Sequence, residues 1–456
     1  MKNFGWLTIA RLGLVQASIG AVVVLTTSTI NRVMVVELSL PALLPGILVA
    51  LHYLVQIARP RMGHGADSGG RQTPWIIGGM AFLAAGGALA ASATALVSTN
   101  RWAGVSLAFI AFALIGLGVS ASGTSLLVLL AKNVTPQRRG AAATLVWMMM
   151  IVGFAVTAAV AGHLLDPYSP QRLVAVAGAV SAVAFSLTLL AVWGIEETAQ
   201  HDTMPMASTP ARSSFTAALK EVWDEPKARQ FTIFVFISML AYSAQELILE
   251  PFAGSVFGFT PGASTKLAGV QHSGVLLGMV LVAMSGLIAA KVSEGSPLRN
   301  IGSLRGWTVG GCVASAVSMA ALTFAGLVGA AWPLKANVFL LGAANGAFSI
   351  GAIGSMMKLA AQGRASREGT RMGLWGAAQA VAFGVGGLLG TGASDLAHYL
   401  MASSGAAYAF VFAFEGLLFL ASAFIAWRVD AVASRDAVTS GNISGRTNLG
   451  RVLWKH

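Results

Sequence analysis

Polar residues along this chain are sparse and clustered. Between the clusters lie twelve mostly apolar runs, at approximately 12–34, 40–58, 75–97, 104–130, 141–164, 173–193, 231–249, 267–290, 307–328, 336–359, 372–392 and 406–427. Each reaches the roughly 18 or more residues needed to cross ~30 Å of hydrocarbon. In lipid a single segment satisfies its own backbone polar groups only as a helix, so each run predicts a spanning helix. The first run ends in Asn31 and Arg32 with no small-residue cleavage site, and is read as a span, not a removable signal peptide. The expectation is an all-α integral membrane protein of 12 transmembrane helices.

The longest polar interruption, 195–229, divides these runs six and six. It predicts an N-terminal six-helix bundle over 1–196, a cytoplasmic linker over 197–228, a C-terminal six-helix bundle over 229–428 and a cytoplasmic tail over 429–456. Within the linker, 213–231 reads as a short amphipathic helix: Phe215, Leu219, Val222 and Trp223 share one face, with Lys220, Glu221 and Asp224 largely elsewhere. The halves echo one another, as internal duplication requires. Thr135-Pro-Gln-Arg-Arg-Gly140 precedes an apolar run containing Trp147, and Ser366-Arg-Glu-Gly-Thr-Arg371 precedes one containing Trp375.

Composition agrees with the pattern: 56% hydrophobic, 10% charged, mean hydropathy +0.74 and 53 glycines exclude a soluble globular chain. The net charge of +12 is distributed by topology. With the N-terminus inside, all but five of the 29 Lys and Arg fall in inside segments, the five being Arg32, Arg101, Arg172, Lys266 and Lys335. That asymmetry predicts both termini inside, and assigns the basic excess to topology and anionic lipid, with no nucleic-acid role. The single Cys312 excludes an internal disulfide.

Against this background the chemical candidates are few. An ionisable group at a helix centre costs ~2.5–3.5 kcal/mol on insertion scales, so each needs a reason. Glu246 and Glu250, four apart and beside Gln245, share a face near the outer end of span seven. Pro251 disfavours helix at Glu250, which leaves a wet helix end as one reading. Aligning the halves sets Arg32 opposite Glu246, and the other reading is a contact from Arg32 to Glu246 or Glu250 across the outer mouth. Glu415, nine residues into span twelve, is either a buried structural carboxyl or a group that couples or contacts cargo. His52 and His272 are interhelical hydrogen-bond groups or ligands. Met148, Met149 and Met150 with Trp147 form lipid-facing packing or an adaptable wall for a flat ligand. Gly116, Gly118, Gly123, Gly384, Gly386, Gly387 and Gly390 suit close helix packing. No phosphate loop, zinc helix, nucleophile elbow or dinucleotide fingerprint stands in a suitable context, so no enzyme is expected.

The loop 59–74 is polar, basic and Gly-rich. Its Gly63, Asp67, Gly70 and Arg71 match positions of the G-x-x-x-D-x-x-G-R pattern between the second and third helices of the major facilitator superfamily. The resemblance implies a conformational latch, in which Asp and Arg hydrogen-bond a neighbouring helix end. Leu25-Thr-Thr-Ser-Thr-Ile-Asn-Arg-Val-Met-Val-Val-Glu-Leu38, the loop itself and Ala241-Tyr-Ser-Ala-Gln-Glu-Leu-Ile-Leu-Glu-Pro-Phe-Ala-Gly254 resemble the PucC/LhaA group of that superfamily, the bacteriochlorophyll-delivery proteins. That likeness implies the major facilitator fold in the cytoplasmic membrane of a phototrophic bacterium. It also implies a role in light-harvesting complex assembly, with bacteriochlorophyll as cargo. Antenna polypeptides, pigment-synthesis enzymes and insertion machinery would be the partners. A gradient-driven small-molecule transporter and a pigment-free antenna chaperone are the alternatives.

Overall fold

A computed structural model describes residues 4–56, 71–196, 220, 223–293, 296–362 and 368–452. The helices are α1 (Trp6–Val24), α2 (Leu43–Val55), α3 (Thr73–Val97), α4 (Arg101–Asn133), α5 (Pro136–Leu164) and α6 (Pro170–Val192), then α7 (Pro226–Phe257), α8 (Pro261–Lys291), α9 (Leu304–Val328), α10 (Leu334–Gln362), α11 (Glu368–Leu400) and α12 (Ser404–Val452). Among the described residues 11 helices are long and apolar enough to cross a membrane; α2 is shorter, and the rest of its expected run, 57–58, falls outside them. The latch residues Gly63, Asp67 and Gly70, and most of the expected linker helix, also lie outside the described residues. Arg71 stands exposed just before α3.

Helix packing repeats itself under a shift of six. In the first half α3 packs on α4 and α6, α1 on α5 and α6, and α2 on α4; in the second, α9 packs on α10 and α12, α7 on α11 and α12, and α8 on α10. Two apolar cores follow, one on Leu12, Leu83, Phe112 and Leu126, the other on Phe234, Phe348, Phe412 and Phe419. The halves meet along two seams, α5 against α8 and α2 against α11. Glycine permits the tightest approaches: a Cβ at Gly386 or Gly390 of α11 would fall 2.5 or 2.9 Å from backbone atoms of α7. Gly123 has open space beside it, so the packing role does not extend to that position.

Two departures from regular helix position the site. The chain after α1 winds as π-helix over Leu25–Ile30 and again over Val33–Glu37. The hydroxyls of Thr26 and Thr27 both donate to the Val23 carbonyl, at 2.7 and 3.2 Å, which competes with the regular ladder. The second departure corrects the expectation at Pro251: α7 runs unbroken through it to Phe257, and Glu250 is buried, not at a wet end. Proline has no N–H to offer the carbonyl four residues back, here that of Leu247. Asn31 supplies the missing donor, its Nδ2 standing 2.7 Å from the Leu247 oxygen. The sequence argument weighed the cost of Pro251 but not a donor from another helix.

This repair predicts a specific rescue. Asn31→Leu leaves a buried carbonyl unpaired and is expected to cost about 1–3 kcal/mol, read as a lowered Tm in detergent. Pro251→Ala in that background restores the N–H and is expected to recover most of the loss. If Pro251→Ala lowers stability equally in both backgrounds, the repair is not what Asn31 provides.

Candidate functional site

The segment after α1, with its two π-helical stretches, brings a row of polar side chains against the second half. Ser28, Thr29, Asn31 and Arg32 are all buried. Ser28 Oγ donates to Glu250 Oε1. Thr265 gives its own proton to the Pro261 carbonyl, so Thr29 donates in the 2.8 Å contact between the two hydroxyls. Gly258, with φ +67°, ends α7 in the left-handed conformation. The turn brings the Phe259 carbonyl to 2.5 Å from Arg32 Nη2.

The expected ion pair from Arg32 to Glu246 or Glu250 is not what forms. Arg32 Nη1 pairs at 2.5 Å with Glu37, five residues on in its own chain segment. The π-helical turns carry both residues on one short path, and the local partner wins. Tyr168, in the turn between α5 and α6, lies near this pair: burial and Glu37 raise its phenol above the usual range, and Arg32 opposes them. Glu246, four residues from Glu250, is half-buried.

Two further carboxylates, Asp395 and Asp166, join the halves, and neither stands out in the sequence. Asp395 of α11 accepts from the backbone N–H groups of Ala42 and Leu43 at 2.9 and 2.8 Å, capping α2 from the other bundle. Asp166, after α5, lies against Gly262 in the first turn of α8 and pairs with Lys266 at 3.9 Å. These positions correspond under the six-helix shift. The available signal was the equal spacing of 11 from Pro41 to His52 and from Pro261 to His272, which sets α2 and α8 in register. All these contacts between halves lie in the part of the helices away from the chain's two ends.

The two histidines occupy the two seams. His52 Nε2 meets the Gln56 amide at 2.8 Å, and its ring packs on Tyr53, which in turn meets Phe383 of α11. His272 Nδ1 contacts the Ala268 carbonyl at 2.8 Å, so that nitrogen carries the proton and Nε2 the lone pair. Phe154 of α5 packs edge-on to this imidazole at 4.7 Å between centroids. Met148 and Met150 are also within this seam, with Ile151, Val275, Met279 and Trp307. They are half-buried against protein, which corrects the lipid-facing expectation. Gln245 and Glu415 are buried inside the second bundle, away from the Ser28–Arg32 row.

Comparison with known proteins agrees with this architecture. The family model described as PUCC protein matches residues 29–433. "Bacteriochlorophyll synthase 44.5 kDa chain" of Rhodobacter capsulatus is 54% identical, over 95% of this chain and 97% of that protein. "Protein PucC" of Cereibacter sphaeroides is 29% identical over 90% and 89%. Among solved structures, a peptide transporter POT in complex with alafosfalin aligns at TM-score 0.65 and 15% identity, covering 94% of this chain and 97% of that one. The nucleoside transporter NupG aligns at TM-score 0.65 and 13% identity, covering 92% and 99%. These structures share the major facilitator fold expected from the sequence.

The revised pairing is measurable by double-mutant cycles on Tm. Arg32→Gln and Glu37→Gln are expected to couple by about 1 kcal/mol, whereas Arg32→Gln and Glu246→Gln are expected to be additive within about 0.5 kcal/mol. Coupling of the second pair and not the first would reinstate the contact across the mouth.

Proposed function

The chain belongs to the PUCC protein family, and on that premise we propose that it is a light-harvesting complex assembly factor that holds bacteriochlorophyll and passes it to antenna polypeptides. The name carried by the Rhodobacter capsulatus relative ties that protein to bacteriochlorophyll. In this reading the chain is a carrier and performs no bond chemistry. It sits in the bacterial cytoplasmic membrane with both termini on the cytoplasmic side. Antenna polypeptides, pigment-synthesis enzymes and the insertion machinery are its partners.

The observation that carries the reading is the α5–α8 seam. A flat apolar macrocycle with a central magnesium calls for an apolar wall and one neutral nitrogen ligand. His272 fits, because its Nδ1–H is engaged by the Ala268 carbonyl and the tautomer leaves a lone pair on Nε2. Met148, Met150, Phe154 and Trp307 supply adaptable apolar surface beside it. His52 fits less well, since its Nε2 is held by Gln56.

Purification in mild detergent from a pigment-making host is expected to yield protein with a bacteriochlorophyll absorption band. His272→Leu is expected to lower retained pigment at least about tenfold, with His52→Leu affecting it less. A pigment-free protein that co-purifies with antenna polypeptide would support a chaperone instead. Substrate-dependent proton uptake in vesicles, without pigment, would support a small-molecule transporter.

A further inference from the structure

The interior of the second bundle holds a polar layer that neither the seam nor the Ser28–Arg32 row uses. Gln245 on α7, Asn345 on α10 and Glu415 on α12 are 0%, 0% and 1% exposed. Among the described residues, both polar atoms of Gln245, Asn345 Nδ2 and both oxygens of Glu415 are buried without a hydrogen-bond partner. The group already satisfied is Asn345 Oδ1, which accepts from Ser315 Oγ of α9 at 2.8 Å.

Ring contacts fix the three residues at one depth. Tyr242 of α7 meets Phe348 of α10 at 6.5 Å, and Phe348 meets Phe419 of α12 at 5.9 Å. From these rings, three residues on along α7 reaches Gln245, three back along α10 reaches Asn345 and four back along α12 reaches Glu415. Because α7 runs opposite to α10 and α12, each step leads toward the same membrane face by ~5 Å. Two further turns along α7, Phe252 packs on Phe412 and Tyr408 at 4.9 and 5.4 Å. The polar layer is therefore closed between two aromatic layers.

A carboxylate in such a place needs a positive charge or donors beside it. The cations described for this bundle stand at its ends: Arg305 and Arg428 stack on Trp427 and Phe424, and Lys335 and Lys266 begin α10 and α8. On the helices packed against α12, the titratable groups away from the helix ends are Tyr242, Glu246 and Glu250 of α7 and Cys312 of α9, with Asp395 and His398 nearer the end of α11; Lys227 and Arg229 stand in the first turn of α7, Arg305 in that of α9, Glu368 and Arg371 in that of α11, and Tyr399 at its end. The first four are acids. His398 is in the last turns of α11, its Nδ1 2.7 Å from the Ser394 carbonyl and its ring 4.7 Å from Tyr408.

We propose that Gln245, Asn345 and Glu415 form a proton-binding site inside the second bundle, with Glu415 carrying an exchangeable proton. The orphaned atoms match both of its states. These atoms make no hydrogen bonds to one another in the structure; in the proposed acid form, with the side chains turned together, the Glu415 O–H donates to Gln245 Oε1 and its carbonyl accepts from Asn345 Nδ2. On release the O–H bond breaks, the electron pair stays on the carboxylate and the proton passes to water. The carboxylate then has N–H donors from both amides. A fixed structural acid would need only the first set. The site's Gln245 sits on α7, one residue from the half-buried Glu246, so the helix that Asn31 and Ser28 grip from the segment after α1 also carries one member of the proton site. The proposal is independent of which cargo the protein holds.

The test is infrared difference spectroscopy of the purified full chain between about pH 5 and about pH 9, in water and deuterium oxide. Wild type is expected to show a protonated-carboxyl carbonyl band that shifts with deuterium and fades as pH rises. Glu415→Gln is expected to abolish it, and Gln245→Leu, which keeps the acid, to shift it. A band unchanged in Glu415→Gln overturns the assignment. A Glu415 band that neither exchanges nor titrates makes the group a fixed acid and overturns the site. Thermal stability is expected to be equal in sodium and choline chloride; a sodium-specific gain lost in Glu415→Gln would replace the proton with an alkali cation.

Discussion

A backbone carbonyl at membrane depth has no water to turn to, and the contact between the halves of this molecule is organised around one such group. Pro251 withdraws the N–H that would close the helical bond to Leu247, and the amide of Asn31 takes its place. That single exchange ties α1 to α7. The neighbouring bonds, Ser28 to Glu250, Thr29 to Thr265 and Arg32 to the Phe259 carbonyl, follow because the segment after α1, π-helical on either side of Asn31 and Arg32, sets all four side chains along the same contact.

Duplication explains why the remaining contacts come in pairs. The α5–α8 and α2–α11 seams correspond under a shift of six helices, and each is tied near the start of α8 or α2 by an aspartate from the opposite half. The pairs are unequal in detail. Asp395 caps backbone N–H groups, whereas Asp166 meets a lysine; His52 is held by a glutamine side chain, whereas His272 is held by its own helix. An apolar cargo engaging only one seam is what such inequality favours.

Two kinds of polar group therefore coexist at depth. The Ser28–Arg32 row is matched largely across the halves, so it depends on how the two bundles sit. The Gln245, Asn345 and Glu415 layer lies within one bundle and keeps its membership whether or not the bundles move. Both meet on α7, whose one face contacts the π-helical segments after α1 and whose other face contacts α12. A helix loaded from both sides is suited to linking proton occupancy to the grip between the halves.

Apolar run length by itself determined the helices, their number and the division into halves, because a span must bury about 20 residues whatever its neighbours do. The rarity of charge likewise singled out Arg32, Glu246, Glu250 and Glu415. Which partners these residues take was decided only by the tertiary structure. Arg32 finds Glu37 through the π-helical turn Val33–Glu37 that no periodicity announces, and Glu250 is buried because Asn31, 216 positions before the Leu247 carbonyl it meets, makes Pro251 tolerable within a helix. Asp395 lies just beyond the apolar run 372–392, and only α2 packed against it gives it a partner. Hydrophobicity is a local property and survives in one dimension; hydrogen-bond pairing between distant helices is a matter of geometry and does not.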